Sequence, residues 1–486
     1  MSSTQLHRHS KSSPPTPFGF SSQASKPARR TLRRAVVAMS TAALVLATVP
    51  VPPSEAQTRR VNIIRDAELE KLVRDYARPI LGVAGVGASH VEIVLVADNS
   101  FNAFVADGRR IFVHSGAILE SETPNELIGV IAHETGHLAG GHLARLRDAL
   151  SKAKALSLLA GLLGAGAVAG GIASGSRDAT NVGQAVASSG SSFAQRSLLA
   201  YMRTEESAAD RAAFSYLQRT RQSSRGMLRV FERFADQALF ASRYADPYVL
   251  SHPMPRERIS QMQRLAASSR YYDKKDPPDL LARHALARAK LLAFTAHPKR
   301  VNRAYPKSDK SLAARYARAI VTYRYGKPSR AVKAIDNLIR SQPKNPFFWE
   351  LKGQTLVDAG RPKDAIDPLR KAITLAPDEG LIRIALGQAL VAAGDKRYLD
   401  DGIRQLRAGL SKENASTIGF RYLAQAYARK GNQPLAELAT AQGNFIAGNI
   451  KQAKVHAKRA QAKLKRGSPA WLQADDIISY KAPKVR

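Results

Sequence analysis

The sequence has 486 residues, more than one hydrophobic core usually supports, so two or three domains are expected. Apolar residues make up 44% of the chain, and the formal net charge of +36 predicts attraction to anionic partners such as nucleic acid, lipid head groups or acidic polymers. The chain has no cysteine, which excludes a disulfide framework and a thiolate zinc finger. Any metal site must therefore use His, Asp or Glu.

The N-terminal segment has the order of a secretory signal. Arginines between 29 and 34 precede an uncharged apolar run from 35 to 51, and Ser54 and Ala56 fit a cut after Ala56. We expect residues 1–56 to be a signal peptide, with a retained membrane anchor as the alternative. Arg29-Arg30 leaves a twin-arginine export route open. Export argues against nucleic acid as a partner and favours an anionic envelope surface.

Residues 57–270 carry the features of a mixed catalytic domain. Apolar residues at three- and four-residue intervals predict an amphipathic helix over 64–80, and 91–97 and 110–114 are typical of short strands. A further helix is predicted from Pro124, with Thr123 as N-cap and Glu126 completing a capping box. The next motif should therefore be helical.

That motif is His133-Glu134-Thr135-Gly136-His137, an HExxH pentapeptide. A spacing of four places both imidazoles on one helix face, one turn apart, where they can bind a single Zn²⁺. Glu134 lies about 100° round the helix and approaches the open coordination position. A lone helical histidine is usually a core residue, but the complete motif on a capped helix predicts one zinc ion per chain.

A catalytic zinc site usually has three protein ligands, so a third is expected. The metzincin continuation fails because Leu143 stands where its third histidine belongs, and His142 comes one residue early. We expect His142 to be a partly exposed surface residue. Glu206 is a better third ligand, with Asp210 on the same helix face accepting the outward N–H of a ligand histidine. The alternative is a solvated acidic face.

These residues resemble the HtpX and CAAX-prenyl-protease type of HExxH metallopeptidases, in the glutamate-ligand (gluzincin) group. The resemblance rests on four segments: Asn102-Ala103-Phe104 with the strand 110–115, the HETGH helix, Glu206 to Asp210 as ExxxD, and His252-Pro253 with Arg256 and Ile259. It implies a small sheet, with the strand after Asn102-Ala103-Phe104 as the edge that an extended substrate joins. The implied substrate-strand residues are Asn102, Ala103, Phe104, Ile111 and Val113.

The family chemistry carried onto this sequence makes Glu134 the general base, which takes a proton from the attacking water and returns it to the leaving amine. Zinc would acidify that water and polarise the scissile carbonyl. In periplasmic members, a histidine equivalent to His252 looks able to occupy the water position and hold the enzyme latent. A plain loop histidine or a transition-state donor are the alternatives for His252.

The segment 155–193 is expected to be a hydrophobic, mobile insert. Its part from 155 to 175 is uncharged and long enough to span a bilayer. No second apolar span precedes Glu206, so we favour a lid resting near the active site or the membrane surface. A membrane-embedded prenyl-type protease is the alternative.

Residues 271–285 are expected to be a linker, and 286–480 show a tetratricopeptide period. Gly326, Gly360 and Gly394 are spaced by 34 residues, as are Ala331 and Ala365, and Pro343 and Pro377. About four helical repeats are expected, forming an α-solenoid whose concave surface binds protein segments. A generic helical bundle is the alternative. The fold class is then mainly α (α+β), a gluzincin-like metallopeptidase domain followed by an all-α solenoid.

Export, peptidase and repeats together resemble periplasmic members of this family that act in outer-membrane assembly. The resemblance implies a periplasmic zinc endopeptidase that degrades unfolded or stalled outer-membrane proteins, with repeats that dock the barrel-assembly machinery or its clients. A repeat-based chaperone or scaffold with little proteolysis is the competing hypothesis.

Overall fold

The computed structural model describes residues 62–87, 91–174, 176–240, 252–253 and 256–482. The predicted signal peptide lies outside the described residues. The remainder of the chain, Val61–Arg486, forms one compact unit by its internal contacts.

The first half of this unit contains a small sheet and seven described helices. Its strands are β1 (Ile63–Ile64), β2 (Glu92–Val96), β3 (Ala103–Val105) and β4 (Arg110–His114). Its helices are α1 (Ala67–Ala84), α2 (Ser115–Glu120), α3 (Pro124–Gly140), α4 (His142–Ser174), α5 (Arg177–Arg219), α6 (Arg225–Phe240) and α7 (Arg256–Ala267). The predicted strands were therefore nearly correct in position, and the predicted helix over 64–80 begins three residues later because Ile63 and Ile64 pair with β2.

The strand order is β1-β2-β4-β3, with β2 and β4 parallel and β3 antiparallel to β4. The prediction that the strand 110–114 is the open edge is wrong, because β4 is paired on both sides. Ile111 and Val113 are fully buried in the core beneath the sheet and cannot meet an added strand. Within the described residues, the edge beside β4 is β3, which carries Ala103 and Phe104.

Helix α3 begins as the sequence indicates, but its cap differs. Thr123 is the N-cap residue and Pro124 the first helical residue, yet the Thr123 hydroxyl makes no capping hydrogen bond. Glu126 accepts from the backbone N–H of Glu122 at 3.0 Å, so the predicted capping box does not form. The Asn125 N–H instead donates to Asp276, at 3.1 Å, which anchors the start of α3 to the segment just before Pro278.

The insert predicted over 155–193 is an extension of two long helices. α4 and α5 pack along one another as a hairpin. The candidate metal-site residues lie on α3, on α5 and in the turn before α7, and these three segments meet at the base of the hairpin. Among the described residues, α4 is the one helix long and apolar enough to cross a membrane.

The second half is a helical solenoid. Its helices are α8 (Pro278–Thr295), α9 (Pro298–Ala304), α10 (Leu312–Tyr325), α11 (Pro328–Ser341), α12 (Pro346–Asp358), α13 (Pro362–Leu375), α14 (Gly380–Ala392), α15 (Leu399–Leu410), α16 (Thr417–Arg429), α17 (Gln433–Ile446), α18 (Ile450–Gln461) and α19 (Pro469–Ser479). Ten helices from α10 to α19 make five successive pairs, one more than expected. A 3₁₀ turn, Lys396–Tyr398, lies between α14 and α15.

The periodic glycines have two different physical roles. Gly360 and Gly394 end helices with φ of 72° and 80°, a conformation that disfavours side chains. Gly353 and Gly387, also 34 residues apart, allow close helix packing, because a Cβ there would meet the leucine side chains of Leu369 and Leu406 at 2.4 and 2.5 Å. The sequence period thus reflects both turns and contacts.

The predicted linker 271–285 is wrong in its second half, because α8 begins at Pro278. α8 contributes side chains to both hydrophobic cores. Ala287 and Leu291 lie in the core of the first half, and Leu286 and Ala289 lie in the core of the repeats. The two regions therefore share a helix.

Candidate metal centre

Helix α3 brings His133, Glu134 and His137 to one buried site. The Nε2 atoms of His133 and His137 are 3.1 Å apart, and the two rings meet edge to face. His133 and Glu134 are buried, and His137 retains a small exposed area. The spacing of four on a regular helix accounts for the convergence of the two imidazoles.

Glu206 on α5 completes a third side of the site. Its Oε2 lies 3.3 Å from Nε2 of His133, and its Oε1 lies 3.3 Å from Nε2 of His137. Gly136 makes this approach possible, because a Cβ at that position would lie 2.8 Å from the Ala209 carbonyl oxygen and 3.0 Å from the Ala209 Cα. A larger residue would separate α3 from α5 and withdraw the carboxylate.

The donor set has the chemistry and spacing of a zinc site. Ligand atoms of His133, His137, Glu206 and His252 all lie within 4.8 Å of one another. Bonds of about 2.0–2.1 Å in tetrahedral geometry require ligand atoms roughly 3.3 Å apart, close to the separations between the first three donors. Imidazole and carboxylate donors suit zinc, so these residues fit the ion that the motif implies.

Asp210 and Arg258 hold His133 from its outer side. Oδ1 of Asp210 lies 2.9 Å from Nδ1 of His133, and this ion-pair contact favours a proton on Nδ1, which leaves Nε2 facing the cluster. Arg258 donates to both Asp210 oxygens, at 2.6 and 2.8 Å, and its Nη1 lies 2.8 Å from Glu206. Burial opposes ionisation of Asp210, but Arg258 outweighs it and lowers the pKa of that carboxyl.

His142 differs from the exposed position predicted for it, because it is buried against His137. Its Nε2 lies 2.9 Å from Glu205, so Nε2–H donates to that carboxylate. Burial lowers the pKa of His142, leaving Nδ1 as an acceptor 2.8 Å from Nδ1 of His137. His137 then donates through Nδ1 and keeps its Nε2 lone pair for the cluster.

Arg145 holds Glu205, the last residue in the series of contacts that runs from His137 through His142. Its Nη2 and Nε lie 2.6 and 3.3 Å from the two oxygens of Glu205. The sequence motifs do not indicate Glu205, Arg145 or Arg258 as part of the site. Arg145 and Glu205 lie 60 residues apart on different helices, so no local spacing indicates their pairing. For Arg258, the one signal in the sequence is a charged residue on an otherwise apolar helix face.

The two motif histidines have opposite proton affinities. Burial favours the neutral form of both, but the contacts of His133 with Asp210 and Glu206 raise its pKa to about 9. For His137 burial wins, and the pKa falls to about 4. The carboxylates therefore favour the doubly protonated form of His133 in the metal-free site, and its second proton, on Nε2, competes with an incoming cation.

Glu134 has the environment of a general base. Burial raises the pKa of Glu134, although His252 and His133 oppose the shift. Its Oε1 is buried and has no hydrogen-bond partner among the described residues, and the nearest imidazole nitrogen, Nε2 of His252, is 3.5 Å away. This oxygen is available to a water or a substrate group.

His252 lies inside the donor cluster. Its Nδ1 is 3.0 Å from Oε1 of Glu206 and 3.3 Å from Nε2 of His133. The flanking residue Pro253 accepts from Arg258 at 2.9 Å, which fixes the turn that carries the imidazole. Arg256, which carried part of the family resemblance, is exposed, and Arg258 makes the contacts.

The Asn102-Ala103-Phe104 segment lies beside α3, against which β3 packs. The backbone oxygen of Asn102 accepts from His114 at 2.9 Å, and its side-chain Oδ1 is buried without a hydrogen-bond partner among the described residues. A cavity of about 570 Å³ opens on the other side of the centre, between α5 and α7, and reaches Glu206 and Arg258.

Residues 64–266 match the model of Peptidase family M48, and residues 316–380 match a tetratricopeptide-repeat model. Fold, donor cluster and these matches define the class, a metallopeptidase domain of family M48 followed by tetratricopeptide repeats. The family resemblance and the fold class predicted from the sequence are confirmed.

The chain is also similar to proteins named beta-barrel assembly-enhancing protease. It is 25% identical over 415 residues to that of Yersinia pestis, covering 84% of this chain and 82% of the relative. It is 24% identical over 415 residues to that of Escherichia coli (strain K12), covering 84% and 81%. Among solved structures, YrrB, described as a TPR protein with an unusual peptide-binding site, is 23% identical with a TM-score of 0.30, covering 37% of this chain and 92% of that one.

Proposed function

We propose that the chain is a zinc-dependent endopeptidase of the periplasm that removes misfolded or stalled outer-membrane proteins and so aids outer-membrane assembly. The observation that carries the proposal is the convergence of His133, His137 and Glu206 beside Glu134. The relatives named for beta-barrel assembly support the substrate class, and the repeats support binding of those proteins or of the barrel-assembly machinery.

His133, His137 and Glu206 would hold the ion, with Asp210 and Arg258 fixing the His133 ring. When bound, zinc supplies a Lewis acid and lowers the pKa of water. Glu134 accepts the proton of the attacking water and delivers it to the leaving amine, and its raised pKa suits both steps. Its partnerless Oε1 is the atom on which the proton travels.

The substrate segment adds to β3 in this proposal, through main-chain hydrogen bonds. Such pairing needs extended chain more than particular side chains, so sequence preference is loose. β3 has three residues, and a folded client offers no free segment to pair with it. Unfolded or stalled barrel proteins, whose strands lack partners, are the chains that can bind.

His252 acts as a latch in this proposal, as the fourth donor that keeps water out of the centre. We expect His252→Ala to raise the rate of cleavage of unfolded casein while zinc content holds. A loss of turnover at unchanged zinc content would instead make His252 a transition-state donor.

Glu134→Gln tests the enzyme hypothesis, because it removes the base and keeps the shape of the side chain. We expect cleavage of unfolded barrel protein to fall by about 10²–10⁴-fold, with one zinc per chain retained. Glu122→Gln, an acid outside the cluster, is the matched control. Turnover unchanged by Glu134→Gln, with clients still bound, would favour the chaperone or scaffold alternative.

A further inference from the structure

Helix α4 exposes its large apolar side chains and packs its small residues against α5, the reverse of the usual arrangement in a water-soluble protein. The side packed on α5 carries small residues at helical spacing, Ala153, Ser157, Ala160 and Gly164. The leucines lie on the opposite side and are exposed, with Leu162 at 72% and Leu158 and Leu163 each at 60%. A helix of a water-soluble protein normally buries its leucines and exposes small or polar residues.

The exposed apolar surface continues along the helix. It includes Leu150, Leu156, Leu159 and Ile172, and from 155 to 174 no charged residue interrupts it. Contiguous apolar patches of this kind are rare on monomers and mark a surface that another apolar phase covers.

The charges around this surface indicate what covers it. Just before the apolar stretch, the exposed cations Arg147, Lys152 and Lys154 outnumber the exposed Asp148, and just after it the exposed Arg177 is followed by Asp178. On α5, Arg196 and Arg203 are exposed as well. Cations that border an apolar helix face match the head groups and acyl chains of an anionic bilayer, with Lys and Arg at the phosphates.

The partner helix distinguishes lying on a bilayer from crossing it. α5 returns along α4 with a polar sequence from 179 to 195, and Asn181 and Gln184 are exposed on it. A spanning hairpin would place these amides in the hydrocarbon, where unpaired polar groups are costly. The described exposed side chains of α5 combine these amides with Val182 and Leu199, whereas α4 exposes a continuous leucine face, so the hairpin fits the interface and not the interior.

We propose that α4 is a membrane-docking element, which inserts Leu158, Leu159, Leu162, Leu163 and Ile172 into the surface of an anionic bilayer. α4 starts at His142, which touches the ligand His137, so docking holds the metal centre close to the bilayer. The inference does not depend on the proposed peptidase reaction.

The test is co-sedimentation of the chain from residue 57 onwards with vesicles. We expect binding to vesicles of phosphatidylethanolamine and phosphatidylglycerol, and little binding to phosphatidylcholine alone. The double variant Leu162→Gln/Leu163→Gln should bind at least about tenfold more weakly, because two buried leucines are lost. Leu472→Gln, at a leucine 51% exposed on the repeats, is the matched control and should bind normally.

The casein-cleavage rate of the double variant without lipid should stay at the wild-type value, which separates this inference from the peptidase proposal. Equal vesicle binding by the wild type and the double variant would overturn docking through α4. Resistance of bound protein to carbonate extraction would overturn the interfacial placement. A dimer that the double variant loses, together with absent vesicle binding, would assign the surface to a second copy and overturn the lipid proposal.

Discussion

At the scale of single residues, the metal centre depends on which ring nitrogen carries the proton. Asp210 lies next to Nδ1 of His133, and His142 accepts from Nδ1 of His137, so both contacts direct the Nε2 atoms of the two histidines toward the cluster. The HExxH motif predicts two ligands, but the partners of their outer nitrogens come from other segments. The sequence predicted the Asp210 contact from its spacing to Glu206, and it missed His142 because the reversal at Gly141, with φ of 66°, turns the chain back toward His137.

We therefore expect His142→Leu to weaken zinc binding or turnover by about 10–100-fold, the usual effect of removing such a partner. The sequence alone predicted a partly exposed surface position for His142, where its loss would leave zinc binding unchanged. Zinc affinity can be measured by competition with a chromogenic chelator. His297→Leu, an exposed histidine of the repeats, is the control, and His142→Gln should restore part of the affinity. Wild-type affinity and turnover in His142→Leu would contradict the role.

Arg258→Met should destabilise the protein by about 3–5 kcal/mol, because it leaves Asp210 and Glu206 buried without their cation. The measurement is urea unfolding of both proteins after chelation, so that metal loss does not contribute. Arg256→Met, two residues earlier and exposed, should stay within about 0.5 kcal/mol of wild type. Equal effects of the two substitutions would remove the role assigned to the buried cation.

At the scale of elements, the spacing between α3 and α5 is set by Gly136. Gly136→Ala should force the helices apart and cost about 1–3 kcal/mol of stability, with a parallel loss of zinc affinity. Gly161→Ala is the matched control, since a Cβ there meets nothing within 4 Å, and it should be neutral or stabilising by up to about 1 kcal/mol. Chemical denaturation and zinc titration of both variants give the comparison.

The sheet illustrates what local patterns leave open. The residue pattern predicted the positions of β2 and β4, because that pattern lies within each strand and does not depend on its partners. The order of the strands depends on pairing between distant segments, so the pattern could not indicate that β4 lies between β2 and β3. The long helices α4 and α5 were similarly assigned as a mobile insert, because Gly- and Ser-rich sequence has low intrinsic helix propensity and their association decides the outcome.

At the scale of the molecule, His284 on α8 joins the two halves. Its Nε2–H donates to the Ser121 carbonyl at 2.8 Å, so Nδ1 accepts from the Tyr76 hydroxyl at 3.0 Å. Burial lowers the pKa of His284 to about 4, because no acid compensates the charged form. The neutral imidazole is thus part of the joint between α1, α2 and α8.

This joint predicts acid sensitivity. The unfolded chain binds a proton at His284 with a pKa of about 6.5, and the folded chain only at about 4. The stabilisation is therefore complete above about pH 6.5 and is lost as the pH falls toward 4, by about 3 kcal/mol. Urea unfolding at several pH values should show a shallower dependence in His284→Gln than in wild type. Identical slopes would contradict the assignment, because the other histidines are common to both proteins.

The 34-residue period predicted the repeats well, because each repeat contacts its neighbours in sequence and these contacts require the same residue types at a regular spacing. It could not predict how the solenoid attaches. Lys290 of α8 is buried between Asp66 and Glu68, at 2.7 and 3.2 Å, and Arg74 of α1 reaches Glu379 of the repeats at 2.8 Å. These contacts join residues more than 200 positions apart in the chain, so no sequence spacing indicates them.

The shared helix α8 also connects the two halves, so that a force on one half is transmitted to the other. It is 18 residues long, and its first turns are tied to the chain around the start of α3 through His284 with Ser121, while Asp276 just before it holds Asn125. α8 belongs to both cores, so a displacement of the repeats acts on the first turn of the helix that carries His133 and His137.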